Sequence, residues 1–263
     1  MQLQKYMEKT RWKISSSGLA VMNAAIKNSS AYKMKLLFYG LTGIIQFVVY
    51  FYLWKSLSNG TESLLTYFVL SFIMQSLLPR WIAMDIGWSV KRGEISTTFL
   101  YPMSFRKYYF YHSIGDVLFT FIFMGMPILG MSLFANVLEP CKHISLFIVS
   151  FLLSYGVAFF CFYFIGLISF HITSIWGVFL TFDLVYLFLS GAYVPIRYMP
   201  PYLQKLTMIM PFKYIIDVPI SMWQSDQISL YSLSIQCIWF VILFLLTTFV
   251  FKREIKRLDI FGG

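Results

Sequence analysis

The sequence predicts an all-α membrane protein that crosses the bilayer several times. Of the 263 residues, 59% are hydrophobic and only 12% are charged, whereas about a quarter of an ordinary soluble domain is charged. The mean hydropathy is +0.71. Six apolar runs approach the length of about 20 residues that a helix needs to cross a bilayer. Together these observations exclude a soluble domain.

Residues 1–35 are predicted to form an amphipathic helix that lies on the membrane surface. They carry seven basic residues against one acid, and apolar residues recur at near-helical spacing between Ile14 and Ile26. A basic tail that is merely solvated is the alternative. A transmembrane domain at 36–251 follows, and residues 252–263 form a tail. The crossing helices are predicted at 36–54, 64–84, 108–133, 145–170, 175–190 and 230–251.

The distribution of basic residues predicts which side of the membrane each loop occupies. The net charge is +10, and the lysines and arginines flank the apolar runs, as expected for topology signals and lipid contacts rather than for nucleic acid binding. Sixteen of them fall on the side that holds both termini and the 85–107 loop, against five on the opposite side. Both termini and this loop are therefore predicted to be cytoplasmic.

Three polar residues inside the apolar runs are candidates for a translocation path: Gln46, Gln75 and Asp183. Asp183 is the strongest of them, because an isolated carboxylate in the middle of a membrane helix costs at least ~2.5 kcal/mol. Such a group faces a protein interior or a water-filled cavity. A structural contact with a neighbouring helix is the alternative for Asp183, and interhelical hydrogen bonds are the alternative for the two glutamines.

The loop at 85–107 is predicted to display a short amphipathic helix in the cytoplasm. Ile95, Phe99 and Leu100 fall on one helical face, and Pro102 ends the helix. A short helix between two crossings is suited to docking into a groove of a soluble partner. A helix that only rests on lipid is the alternative.

The segment at 191–223 is predicted to form two short, broken helices that dip back towards the membrane as an extracytoplasmic gate. It contains five of the nine prolines, each of which removes a backbone donor, yet it stays rich in apolar side chains. Backbone that is broken at membrane depth is tolerated only inside protein or beside a cavity. The candidate gate residues are Gly191, Pro195, Pro200, Pro201, Pro211, Phe212 and Pro219.

Motifs for catalysis or for a metal are not found in the sequence. It lacks a phosphate-binding loop of the Gly-x-x-x-x-Gly-Lys-Ser/Thr type, a His-Glu-x-x-His pair and a Gly-x-Ser-x-Gly elbow. The three cysteines are scattered and have no ligand-like spacing. His112 and Asp116 are four residues apart and can share a helix face, which alone is a weak signal. We expect neither a catalytic residue nor a bound metal or other cofactor in this chain.

Two groups of residues resemble the type-2 ABC exporter permeases, and in particular six-span bacterial permeases of the drug and antibiotic exporter group. The first group includes Lys91-Arg92-Gly93-Glu94-Ile95, Leu100-Tyr101-Pro102 and Gly115-Asp116. The second begins at Leu189-Ser190-Gly191 and continues through Val194-Pro195, Pro200, Leu203, Pro211-Phe212 and Pro219. The two groups occur in the order expected for that family.

The resemblance implies a subunit of an ATP-driven exporter in the bacterial cytoplasmic membrane, with an amphipathic drug, peptide or lipid-like substrate. ATP and Mg would bind to a separate dimeric ATPase, and a second permease, identical or homologous, would complete the pore. The residues expected to couple to the ATPase are Lys91, Arg92, Gly93, Glu94, Ile95, Phe99, Leu100 and Tyr101, while the N-terminal surface helix would connect to it. An ion-coupled transporter or channel that uses Asp183 is the alternative.

Overall fold

The computed structural model describes residues 17–30, 33–57, 62–172, 174–225 and 230–258, and these residues form helices and turns without any strand. The predicted all-helical class is therefore confirmed. In chain order the helices are α1 (17–30), α2 (Lys33–Leu57), α3 (Glu62–Leu77), α4 (Ile82–Lys91), α5 (Ile95–Phe99), α6 (Phe105–Thr120), α7 (Met126–Phe134), α8 (Ile144–Ile168), α9 (Trp176–Leu189), α10 (Pro201–Ile209), α11 (Lys213–Gln224) and α12 (Leu230–Leu258).

Four helical stretches among the described residues are long and apolar enough to cross a membrane: Ser63–Lys91, Phe105–Phe134, Ile144–Ile168 and Leu230–Ile255. The helix α9 is apolar but shorter, and α2 is 25 residues long. The chain is thus a multi-pass membrane protein. The count of six crossings remains a prediction.

Helix α8 lies at the centre of the packing. Its buried residues run from Ser150 to Leu167, and it packs against α4, α11 and α12. A buried glutamine of α12 anchors this core, because the Gln236 amide donates to the Ser154 hydroxyl at 2.8 Å and to the Tyr214 carbonyl at 2.9 Å. A polar group that is fully bonded in this way fixes the register of its neighbours.

Two of the predicted crossings are not continuous α-helices. The predicted helix at 64–84 consists of α3 and α4, which are separated at Pro79 because proline cannot donate to the helical ladder. A π-helical turn at Phe121–Gly125 joins α6 to α7 just before Pro127, and wide turns of this kind occur frequently at functional sites. Residues 85–91, predicted to belong to a polar loop, instead continue α4 and are partly buried in the core.

The proline-rich segment forms a single turn of 3₁₀-helix (Ile196–Tyr198) followed by α10 and α11. Pro201 occupies the first turn of α10, where its missing donor costs nothing. Helix α11 contains Pro219, and seven of its residues are buried. The segment thus contains two short helices, of which α11 is part of the protein core.

Both ends of the chain were predicted only in outline. Part of the N-terminal region, 17–30, is helical, whereas residues 1–16 lie outside the described residues. The face of α1 that carries Gly18, Val21, Ala25 and Ser29 is buried. At the other end α12 continues to Leu258, so the first part of the predicted tail is helical and 259–263 lie outside the described residues.

Candidate functional site: a polar cavity and its two charged ends

A cavity of about 240 Å³ lies between α2, α3 and α6. Gln46 of α2 and Gln75 of α3, both predicted from the sequence as path residues, face it together. The apolar part of the wall includes Phe72, Leu78 and Met124. The cavity therefore offers a few hydrogen-bonding groups on an apolar wall, as ligand sites in proteins commonly do.

The first charged end of the cavity is an ion pair between Arg80 and Asp183. Arg80 follows the break at Pro79 and lines the cavity. Its Nε donates to Asp183 Oδ1 at 2.9 Å and its Nη2 to Oδ2 at 2.5 Å, while the two side chains are only 19% and 14% exposed. This fork is the strongest geometry for a guanidinium and a carboxylate. The sequence pointed to Asp183 but did not identify Arg80 as its partner.

A chain of hydrogen bonds connects this ion pair with the start of the 191–223 segment. Arg80 Nη1 donates to Gln75 Oε1 over a long 3.5 Å, and the Gln75 amide donates to the Ser71 hydroxyl at 3.4 Å. That hydroxyl donates to the Ala192 carbonyl at 3.1 Å. Of the three predicted path residues, Gln46 and Gln75 thus face the cavity directly, and Asp183 reaches it through Arg80.

The second charged end consists of Asp85 on α4 with His112 and Asp116 on α6, and we call it the triad. His112 Nδ1 lies 3.6 Å from Asp85 Oδ2 and 3.2 Å from Asp116 Oδ2. The Ser29 hydroxyl of α1 donates to Asp116 Oδ1 at 2.9 Å. One atom from each member of the triad lies within 4.8 Å of the others, so the group is chemically able to hold a cation. Sequence reasoning noted His112 and Asp116 but missed Asp85, which it assigned to a polar loop.

Helix α1 approaches α6 closely beside the triad. A Cβ atom at Gly115 would lie 2.5 Å from the Met22 carbonyl oxygen and 2.9 Å from the Ala25 side chain. Only glycine lets the two backbones come this near. The motif Gly115-Asp116 thus serves two contacts, since the glycine seats α1 and the aspartate binds Ser29.

The predicted coupling segment projects from the end of α4. Gly93 turns the chain with φ +70°, and α5 is a single helical turn. Leu100 is 84% exposed, whereas the ring of Phe99 stacks on Phe105 of α6 with centroids 5.5 Å apart. Arg92 and Glu94 pair at 3.0 Å on the exposed side. Leu100 is therefore exposed, while the residues around it pack against the rest of the protein. The anchoring residues are partly buried Ile95 and the ring pair of Tyr101 with Tyr108, and the nearby Lys91 ammonium lies over Trp88.

Besides the Ser71 bond, the Tyr67 hydroxyl also ties the predicted gate segment to α3. Tyr67 Oη lies 3.1 Å from both the Gly191 carbonyl oxygen and Asp217 Oδ1. Gly191 has φ +85°, and a Cβ there would lie 2.6 Å from that hydroxyl. Burial raises the pKa of the Asp217 carboxyl, and the charge of nearby Lys213 opposes the rise.

The other gate residues either start, separate or pack the two helices. Pro195 is buried beside the 3₁₀ turn, Pro200 and Pro201 begin α10, and Pro211 separates α10 from α11. The ring of Phe212 packs on Phe182 and Tyr186 of α9 at centroid distances of 5.5 and 6.2 Å. The gate segment is therefore joined to the same helix that carries Asp183.

The fold and cavity define a helical membrane protein with a polar site between its helices. A family model described as ABC-2 family transporter protein matches residues 36–262. The chain belongs to this family, and its predicted relationship to the type-2 ABC permeases is confirmed. It is an ABC transporter permease, and the family implies partnership with an ABC ATPase subunit. None of the curated proteins matches the chain significantly.

Proposed function

We propose that this permease forms one half of an ATP-driven exporter that moves an amphipathic substrate outwards by alternating access. The observation that carries the proposal is the cavity at Gln46, Gln75 and Arg80. It lies between a displayed coupling segment at one end and, through hydrogen bonds, the start of the 191–223 segment at the other. A pore driven by nucleotide needs a contact with the ATPase, a path for the substrate and a gate, in this order.

Six crossings follow if α2 and α9 also span the membrane beside the four long apolar stretches. Helix α2 has the length for this, at 25 residues. The shorter α9 would cross together with the turn that leads into Gly191. Both termini and α5 would then face the cytoplasm of a bacterial cell, and α10 would face outwards, in agreement with the bias of lysines and arginines.

The input from the ATPase would enter through 91–101. The exposed Leu100 would fill an apolar groove of an ATPase subunit, and the pair of Arg92 with Glu94 would lie at the rim of that contact. Helix α1, seated on α6 at Gly115, would touch the same partner. ATP and Mg would be bound by two ATPase subunits, and a second permease, identical or homologous, would complete the path.

The output would be a movement of the gate segment. A shift of α4 moves Arg80, and Arg80 is bonded both to Asp183 of α9 and to Gln75 of α3. Helix α9 runs directly into Gly191, and α3 carries Tyr67, which bonds to Gly191 and Asp217. The two helices that Arg80 joins are therefore the two that hold the gate.

Co-purification with the ATPase tests the proposal. The permease and candidate ATPases from its native source are co-expressed, and complex formation and substrate-stimulated ATP hydrolysis are measured. We expect Leu100→Ala with Phe99→Ala to abolish the complex. The control is Phe134→Ala, an equally apolar and 93% exposed residue outside the 91–101 segment, which should leave the complex intact. If no ATPase associates, or if the double variant still couples, the proposal is wrong.

An ion-coupled transporter that uses Asp183 is the second candidate, favoured by the position of this carboxylate in an apolar helix. Its pairing with Arg80 opposes that role, because an ion would have to displace a two-point contact. Transport that persists without ATP and stops when the proton gradient collapses would support this candidate over the exporter.

A further inference from the structure

A second cavity, of about 650 Å³, adjoins the first on the side of the coupling segment, and we call it the vestibule. Trp81, Asp85, Asp116 and Thr120 line both the vestibule and the first cavity. The triad therefore lies where the two spaces meet. A ligand that is held at the triad can extend in either direction, into the vestibule or between α2, α3 and α6.

The vestibule has an aromatic wall. Its aromatic residues are Trp81, Trp88, Tyr108, Tyr109, Phe119 and Trp176. The electron-rich face of such rings attracts cations, and tryptophan is the best of them. The chain itself uses this contact, because the Lys91 ammonium lies 5.4 Å above the Trp88 ring. Trp81 and Trp176 keep 42% and 50% of their surface exposed, so their rings are available to a ligand.

The charges around the two spaces also favour a cation. Among the described residues, the acidic side chains of the vestibule wall are Asp85, Glu94 and Asp116, and the basic ones are Arg92 and His112. Arg92 pairs with Glu94, and Arg80 of the first cavity is engaged by Asp183. Two carboxylates and one imidazole therefore dominate the junction. An anion placed there would meet Asp85 and Asp116.

We propose that the vestibule and the cavity together bind a lipophilic organic cation. Its charged centre lies at the triad, between the Asp85 and Asp116 carboxylates and the ring of Trp81. Its apolar body extends along Leu78 and Met124 of the first cavity. A divalent metal ion would need only the three side chains of the triad. The aromatic wall and the apolar space beside the triad match an organic cation instead.

This inference gives the substrate class of the proposed exporter and in that respect rests on the proposed function, but binding is measured without the ATPase. Tetraphenylphosphonium and tetraphenylborate are matched probes, with nearly the same shape and opposite charge. Their affinities are measured by equilibrium dialysis against the full-length permease in lipid nanodiscs, with empty nanodiscs as the background. Variants are Asp85→Asn, Asp116→Asn and, as a remote carboxylate on another part of the chain, Glu139→Gln.

We expect each triad variant to weaken tetraphenylphosphonium binding about tenfold. This is the effect of losing one attractive charge in a partly solvated site. The same variants should strengthen tetraphenylborate binding, and Glu139→Gln should change neither affinity. Trp81→Leu should weaken tetraphenylphosphonium binding, whereas Trp81→Phe, which keeps a ring, should retain most of it. Size-exclusion profiles identify any variant that fails to fold. If one triad variant fails to fold, the other still tests the inference.

Three results would overturn the inference. The first is an unchanged tetraphenylphosphonium affinity in both triad variants. The second is a weakening of both probes alike, which would indicate an apolar site without charge selection. The third is displacement of the probe by micromolar MnCl₂ or ZnCl₂, which would make the triad a metal site. Failure of the export proposal is seen separately, as loss of ATPase association in protein that still binds the probe.

Discussion

The two charged ends of the cavity contain similar residue types but have opposite characters. Arg80 and Asp183 form a closed, two-point pair with little exposed surface. The triad of Asp85, His112 and Asp116 is looser, with 3.6 and 3.2 Å from His112 Nδ1 to the Asp85 and Asp116 carboxylates, and it borders the vestibule. The closed pair satisfies itself and couples helices. The triad instead places two carboxylates at the border between the cavity and the vestibule.

Both ends originate in the same short stretch of chain. The break at Pro79 ends α3, and the turn after it directs Arg80 towards α9. One turn into α4, Asp85 faces α6 instead. The turn at Pro79 therefore positions Arg80 and Asp85, one residue of each charged end. A movement of α4, the helix that leads into the coupling segment, would shift the two ends together.

The largest effect is expected from breaking the closed pair on one side only. Asp183→Leu leaves the Arg80 guanidinium buried without its carboxylate, so we expect a loss of about 3–5 kcal/mol in unfolding free energy. The double variant Arg80→Met with Asp183→Leu should recover most of that loss. Thermal unfolding in one detergent measures both. A double variant as unstable as the single one would show that the pair acts through something other than charge.

A smaller effect is expected at the junction of α9 with the gate. Gly191→Ala puts a Cβ on a residue with φ +85° and against the Tyr67 hydroxyl, at a cost of about 1–2 kcal/mol. The control is Gly130→Ala in the middle of α7, where a Cβ meets nothing within 4 Å and the helix gains about 0.5–1 kcal/mol. Thermal melts of the two variants should move in opposite directions. Shifts of the same sign would contradict the tight contact at Gly191.

The open triad should contribute much less to stability than the closed pair. Asp116→Asn keeps an acceptor for Ser29 and removes one charge beside His112, so we expect a change below about 1 kcal/mol. Chemical unfolding in mixed micelles measures it. A loss as large as that of Asp183→Leu would mean that the triad is a structural clasp, and its role as a ligand site would lose its basis.

The smallest stability effect is expected at Leu100 in the predicted coupling segment. Leu100 is 84% exposed, so Leu100→Ala should change the unfolding free energy by less than about 0.5 kcal/mol while weakening the association with an ATPase. Biolayer interferometry measures binding of the ATPase, and thermal melting of the free permease measures its stability, so the two effects are separated. Destabilisation of the free permease would show that Leu100 packs within this chain and is not a docking residue.

The sequence predicted the helices better than the contacts between them. Apolar runs located the helices, and the isolated polar residues Gln46, Gln75 and Asp183 indicated the neighbourhood of the cavity, because a polar group in a membrane helix needs a protein or water neighbour. The partner of Asp183 was missed because Pro79 was not used as a break. With α3 and α4 read as one straight helix, Arg80 falls at its end and Asp85 outside it.

Other features depend on contacts between distant parts of the chain, which periodicity does not encode. The triad joins α4 to α6 and reaches α1 through Ser29. The burial of α11 depends on its packing against α8, and the pattern of prolines and apolar residues did not specify that partner. Pro219 is accommodated because neighbouring helices surround it.

The central claim is that a nucleotide cycle received at 91–101 exposes the cavity to one side of the membrane and then to the other. It is tested most directly in a chain whose three cysteines are replaced and whose Gln46 is changed to cysteine. Labelling by a membrane-impermeant thiol reagent is followed from each side, with the ATPase empty and with ATP trapped. We predict labelling from the cytoplasmic side without nucleotide and from the outer side with ATP trapped. Labelling that does not change sides with nucleotide would contradict the account.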